Sequence, residues 1–472
     1  MKPAHLWKKN LTLLMLFIFA ATIWKIAAPV GLTDKAWHVF IIFITTIAAL
    51  VLNPLPMGAV ALLCIIACVL TNTLSLAEGL SGFSDSIIWL VVFAFFLSNG
   101  FIKTGFGSRI AYHLILLVGK STLGLSYALV IVDFMLAPFI PSVSARGGGI
   151  IFPIAQSLCK SYTDETHIGV SARNGGFLMK VCFQSNVITS SMFITAMAAN
   201  PLAVKLALDV GIEISWSIWA LAALVPGILS LILMPLILYY LHPPAIKFST
   251  SAPQIAKEKL RELGGVSWQE IIMLITFMII IFLWIYGSQW GLSATTVALL
   301  GLCILLVSRV VHFEDILADK GAWNTFIWFG TLMMISGFLA QVGLISWVRD
   351  KLDYSLFGIS PTITIIILSI IYFYIHYFFA SATTHIAVLF PTFLALFIGS
   401  GMPPLLSALI LSFLSIMSSG LTHYGLSSSP IFFGAGYMST KTWWYLGFAM
   451  SIVYSIIWTL SGSLWWKVLG LW

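Results

Sequence analysis

The amino-acid sequence predicts an all-α polytopic membrane protein built from two inverted repeats, with about 11 transmembrane helices and two re-entrant hairpins. Three observations carry this. Of 472 residues, 60% are hydrophobic and 8% are charged, where an ordinary globular domain has about 25% charged residues. Many apolar runs approach the roughly 20 residues a helix needs to cross the hydrocarbon core. Short strings also recur in one order at a nearly constant offset.

Cutting the apolar runs at Gly, Pro and charge clusters places simple spans at 11–31, 36–53, 57–75, 86–104, 214–241, 268–288, 293–311, 324–343 and 443–468. Four regions are irregular. The run 122–159 is split by the stretch Pro141 to Gly149, and 361–400 by Ser381 to His385. Both read as re-entrant hairpins, because unpaired backbone at membrane depth is tolerated only inside protein or beside a cavity. The regions 170–201 and 404–437 read as spans broken at Gln184-Ser185-Asn186 with Ala199-Asn200-Pro201, and at Gly425 to Pro430.

The repeat is visible as Val60-Ala61-Leu62-Leu63 recurring at Val297-Ala298-Leu299-Leu300, and Ile88-Trp89 at Ile327-Trp328. Ser142-Val143-Ser144 is matched by Ser381-Ala382-Thr383, and Phe152-Pro153 by Phe390-Pro391. One such match is chance; several in order mark an internal repeat. The first repeat, with an extra N-terminal span, covers 1–241 (hairpin 122–159), a polar cytoplasmic linker covers 242–266, and the second repeat covers 267–472 (hairpin 361–400).

Basic residues favour the cytoplasmic side. That places Lys2, Lys8 and Lys9, the cluster Lys103, Arg109 and Lys120, and the linker residues Lys247, Lys257, Lys259 and Arg261 inside. Counting spans from there puts the C-terminus outside. The second hairpin then enters from the side opposite the first, which is what makes the repeats inverted, with a site expected at the midplane between them.

This composition excludes a soluble enzyme or nucleic-acid binder. The net charge of +7 comes from basic residues at span edges, not from a patch. Five cysteines, Cys64, Cys68, Cys159, Cys182 and Cys303, show neither a disulfide framework nor metal spacing. The basic start leads into an apolar run without a cleavage pattern and reads as a retained span. No transit peptide is seen, so the inner membrane of a bacterial type is expected.

The residues most suited to chemistry sit at the hairpin tips. Ser142, Ser144 and Arg146 in the first tip are mirrored by Ser381, Thr383 and His385 in the second. Hydroxyls, backbone N–H groups at broken helix ends and one cation per tip suit an anion with a carboxylate at each end. The structural alternative is that Arg146 pairs only with Asp133 and that His385 is a packed histidine. Lys180, Ser185, Asn186, Ser190, Ser191, Asn200 and Pro201 on one broken span, and Ser427, Ser428, Ser429 and Pro430 on the other, form a second tier. Small polar residues also join helices, and Asn99, His376 and His423 are read in that way.

Paired tips reading Pro-Ser-x-Ser-Ala-Arg-x-Gly-Gly at 141–149 and Phe-Ala-Ser-x-Thr-x-His at 379–385 resemble the divalent anion/sodium symporter family. Within it they are similar to the 2-oxoglutarate/malate translocator and citrate/succinate antiporter branch. The resemblance implies an elevator-type transporter and a homodimer, in which a hairpin-bearing domain slides against a scaffold of the other spans. It maps the family's Ser-Asn-Thr signatures onto Ser142, Val143 and Ser144, and onto Ser381, Ala382 and Thr383, so both asparagines are missing here. The function expected is exchange of dicarboxylates of the 2-oxoglutarate/malate type, without cofactor and without nucleic-acid partners. A sodium-coupled di/tricarboxylate symporter is the second reading; sodium is a cofactor only there. An intramembrane enzyme or channel is the third, disfavoured because no nucleophile with a base, metal cluster or ring of like residues is seen.

Overall fold

A computed structural model describes residues 3–52, 54–161, 168–248, 251–344, 347 and 360–472. Lys2 and the side chain of Lys8, used above for orientation, lie outside the described residues. Every regular element among them is helical, joined by one isolated bridge between Ser121 and Phe248.

The first half opens with α1 (Pro3–Trp24), α2 (Asp34–Leu52), α3 (Met57–Leu70), the short α4 (Leu76–Leu80) and α5 (Ser86–Thr104). A capping box of Ser75 and Glu78 starts α4. Asp85 caps α5 by accepting from Ile87 N at 2.9 Å, and Gly105 ends it at φ 68°, the left-handed conformation that glycine adopts without strain. There follow α6 (Phe106–Val118), the hairpin arms α7 (Thr122–Leu136) and α8 (Phe152–Ser161), α9 (Ile168–Met192), α10 (Ala199–Leu208) and α11 (Trp216–Leu241). Then comes α12 (Ser251–Leu263).

The second half contains α13 (Trp268–Tyr286), α14 (Ala294–Val307), α15 (Phe313–Ala318) and α16 (Lys320–Gln341). Its hairpin arms are α17 (Pro361–Tyr374) and α18 (Ala382–Gly399), followed by α19 (Pro404–Met417), α20 (Ser429–Gly434), α21 (Thr440–Ile457) and α22 (Ser463–Val468). Helix α3 packs against α16 and α5 against α14. Since the sequence offset relates α3 to α14 and α5 to α16, these two contacts are mates of each other.

Eight of the described helical segments are long and apolar enough to cross a membrane. Met278, Phe282, Ile366 and Ile370 on these segments, and Phe17 and Leu63 on the shorter apolar helices α1 and α3, are all about half exposed or more. A soluble protein does not expose so continuous an apolar surface. The molecule is a polytopic all-α membrane protein.

Several boundaries differ from the sequence expectation, each for a local reason. The polar linker contains a helix: α12 packs on α6 with Ala252 and Ala256 buried, and Lys259 and Glu262 pair at 2.6 Å further along it. Arg109 of α6 pins its end, donating to Glu270 at 2.6 Å and to the carbonyls of Leu263, Gly264 and Gly265. Gln184-Ser185-Asn186 does not break α9, because these side chains bond to other elements and leave the helix's own backbone intact. The break falls at Phe193–Ala198, with Pro201 in the first turn of α10, where no N–H is needed. The first hairpin turns at Ala137–Pro141, and its Gly run is coiled as a π-helical turn, Ala145–Ile151. The second turns at Phe379–Ala380, so Ala382, Thr383, Thr384 and His385 form the first turn of α18.

Candidate substrate site at the hairpin tips

The first tip is organised by Asp133 on α7. Its Oδ1 accepts from Arg146 Nε at 2.9 Å and Asn186 Nδ2 at 3.2 Å; its Oδ2 accepts from Thr189 Oγ1 at 2.7 Å and Ser185 Oγ at 3.2 Å. One carboxylate thus gathers three polar residues from one face of α9. The spacing i, i+1, i+4 makes that possible.

Arg146 spends its whole guanidinium in the same cluster. Nη1 donates to the carbonyls of Ile140, in the hairpin turn, and Ala196, in the break between α9 and α10, both at 2.9 Å. Nη2 reaches Ser190 Oγ at 2.7 Å, Thr189 Oγ1 at 3.3 Å and Asn186 O at 3.5 Å. All five donor positions of an arginine face protein acceptors, and both Arg146 and Asp133 are buried. Here the expectation that Arg146 offers a free positive charge to a substrate is corrected: Asp133 neutralises it, and it has no donor left over.

His385 is corrected as well: it is a packed histidine, with Nδ1 buried and without a partner among the described residues. Its ring is buried beneath the second tip, in contact with Tyr372, His376 and Phe379, with Nε2 3.1 Å from Tyr372 O. His376, read as an interface residue, ties the hairpin turn to the break between α19 and α20 through Nε2 and Gly425 O at 3.3 Å. Tyr424 Oη adds a bond to Tyr377 O at 2.7 Å. Each hairpin turn is therefore fastened to the broken helix of its own half.

The hydroxyls behave differently. Ser144, Ser381 and Thr383 have no side-chain hydrogen bond among the described residues, and Ser142 only accepts from Ala145 N at 3.2 Å. Ser142, Ser144 and Ser381 are half-buried, and Thr383 is 7% exposed. Val143 and Ala382 turn their side chains into the core, leaving only their backbone to the tips.

In the second tier, Ser428 Oγ donates to Asn186 Oδ1 at 2.8 Å, which joins the broken helices of the two halves. Gly147 and Gly148 let the first tip come up against Phe432 and Ile431 of α20; a Cβ on Gly148 would stand 2.5 Å from Ile431 Cδ1. Ser190 O accepts from Asn200 Nδ2 at 2.7 Å, while Asn200 Oδ1 is buried without a partner. Ser429 Oγ accepts from Leu426 N at 3.1 Å; Pro201 is buried, and Ser427 and Pro430 are exposed. Gly447 on α21 packs on the carbonyls of Leu421 and Gly420, where a Cβ would approach to 2.4 Å. Among the described residues no hydrogen bond joins the two tips directly, and no three His, Cys, Asp or Glu side chains converge as metal ligands.

Sequence reasoning missed Thr189 and saw Asp133 only as an alternative partner. The signal was present: an acid at membrane depth is costly unless it is paired, and Asp133 faces a helix with four polar residues in six positions, 185–190.

Two hairpins fastened to two broken helices inside an apolar bundle define a membrane transporter. The chain belongs to the family described as the sodium:sulfate symporter transmembrane region, whose model matches residues 7–472; this is the divalent anion/sodium symporter family that the sequence resembles. It is 49% identical over 465 residues, 98% of this chain and 97% of the relative, to a Bacillus subtilis (strain 168) protein named "Putative malate transporter YflS". It is 46% identical over 463 residues, 98% of this chain and 81% of the relative, to dicarboxylate transporter 1, chloroplastic, of Spinacia oleracea. The YdaH transporter of Alcanivorax borkumensis shares the fold with a TM-score of 0.56 at 13% identity, over 99% of each chain. The protein is a transporter and not an enzyme.

Proposed function

We propose that this protein exchanges dicarboxylates of the 2-oxoglutarate/malate type across the bacterial inner membrane, without sodium, by an elevator movement of its hairpin-bearing part in a homodimer. The names of the relatives support the substrate class. The hydroxyls of Ser142, Ser144, Ser381 and Thr383 and the adjacent backbone are the groups assigned to the two carboxylates.

The observation that carries exchange over symport is the Arg146 cage. Backbone carbonyls of a hairpin turn and a broken helix, beside a carboxylate, are what a bound sodium ion would need; here a guanidinium occupies them. A cation attached to the chain cannot dissociate, so there is no coupling ion to release at the end of each half-cycle. Labelled malate uptake into proteoliposomes is expected to rise at least ten-fold with internal 2-oxoglutarate and to be unchanged by sodium. Sodium-dependent uptake into vesicles without internal dicarboxylate would establish symport instead.

The mated contacts of α3 with α16 and α5 with α14 support inverted repeats over 1–241 and 267–472. With the basic clusters inside, position 257 is expected on the cytoplasmic face and position 472 on the opposite one. Cysteines placed at these two positions and labelled with an impermeant reagent read this directly; labelling from the same side would exclude the inverted arrangement.

A further inference from the structure

Arg109 and Arg146 meet acids, and Lys180 donates within the core to Trp443 O at 3.2 Å. Arg309, exposed just past the end of α14, is different: its guanidinium has no partner among the described residues. Nor does the turn it occupies call for it. Arg309 is left-handed at φ 57°, and its mate at the repeat offset, Asn72, ends α3 in the same way at φ 53°. Asparagine takes that conformation readily, whereas a long side chain gains nothing from it.

An apolar groove of about 500 Å³ between α13 and α14 is lined up to Ser308, the residue before Arg309. Ile272 and Thr276 are its buried floor; Trp268, Ile275, Cys303 and Val307 are its exposed rims. Trp268 directly follows the polar linker and Arg309 directly follows α14, so the groove opens at one membrane surface. It reaches inward about 12 Å, the eight residues from Trp268 to Thr276 at 1.5 Å each. In the first half, α1 covers α2 and α3, the mates of α13 and α14: Trp24 stacks on His38 at 3.9 Å and packs against the cluster that includes Cys64 and Cys68 of α3. The second repeat has no counterpart of α1, and α12, which precedes α13, packs on α6 instead.

We propose that this groove holds one acyl chain of an anionic phospholipid whose phosphodiester lies on Arg309, with Trp268 at the level of the headgroup, where tryptophan is favoured. The apolar walls take the chain and the guanidinium pairs with the phosphate. A head of net negative charge is preferred, because a choline or ethanolamine cation on the same phosphate would offset the attraction. Basic residues at a membrane surface are drawn to anionic lipid in this way. The assignment does not depend on the mode of transport.

Cys303 is exposed in the groove while the other four cysteines are buried, so it reports occupancy in the unaltered protein. Protein in detergent is supplied with phosphatidylglycerol or with phosphatidylcholine of the same acyl chains, and alkylation of Cys303 by N-ethylmaleimide is timed. Phosphatidylglycerol is expected to slow it about five-fold more than phosphatidylcholine does, the worth of one basic residue near an anionic surface. Arg309→Asn installs the first-half residue, which suits the turn, and should remove that difference; Arg309→Lys should keep most of it. All variants meet the same micelle charge, so a difference that persists in Arg309→Asn would be a surface-charge effect and would overturn the proposal. Equal protection by both lipids, the mark of ordinary boundary lipid, would overturn it too, as would no protection by either. Protection that follows protein concentration instead of lipid would place a second copy of the chain in the groove. Native mass spectrometry gives an independent count: wild type should retain phosphatidylglycerol at a collision energy that strips phosphatidylcholine, and Arg309→Asn should lose both together.

Discussion

Replacing Asp133 by Asn is expected to destabilise the protein by about 3–5 kcal/mol, the cost of leaving a buried partner charge unpaired. The change keeps the side chain's shape but turns one accepting oxygen into a donating NH2, so the loss reports the charge together with the acceptor that two of its donors lose. Asp133 accepts from four side chains, and the carbonyls of Ile140 and Ala196 alone do not neutralise Arg146. Arg146→Ala is expected to lose a similar amount, by stranding the carboxylate instead, and to abolish exchange. The double variant Asp133→Leu with Arg146→Met removes both charges and should recover most of the stability, since apolar residues of similar volume often replace a buried pair at little cost. Thermal unfolding in detergent, followed by tryptophan fluorescence, measures all three. If the double variant were no more stable than either single one, the pair would not be acting as one neutral unit.

The tip hydroxyls should show the opposite behaviour: large effects on binding and small ones on folding. Among the described residues Ser144, Ser381 and Thr383 make no side-chain hydrogen bond, so Ala at any of them leaves no described partner unsatisfied. A bound carboxylate would lose a donor, at about 1–3 kcal/mol, which is roughly 5- to 150-fold in apparent affinity. Unchanged transport affinity in all of Ser142→Ala, Ser144→Ala, Ser381→Ala and Thr383→Ala, with normal unfolding, would move the carboxylates to other groups.

The sequence by itself determined that this chain lives in a bilayer, that it repeats, and which of its apolar runs are interrupted. Each of these is written in local terms: hydropathy over about 20 residues, short matching strings, and Gly, Pro and hydroxyl clusters. It also singled out Arg146 and Lys180 as polar residues at depth. Which of them is neutralised could not be read from it, because that depends on partners far away in the chain. Asp133 lies 13 residues before Arg146, Ala196 lies 50 after it, and Trp443 is 263 from Lys180. Spacing alone gave Arg146 and His385 equal standing as symmetry mates. Packing decided otherwise, since one half supplies an acid to its cation and the other surrounds its histidine with Tyr372, His376 and Phe379. The tertiary structure also decided where the helices break. Polar side chains interrupt a helix only when they compete for its own backbone groups, and Gln184, Ser185 and Asn186 instead find acceptors on Gly420 and Asp133.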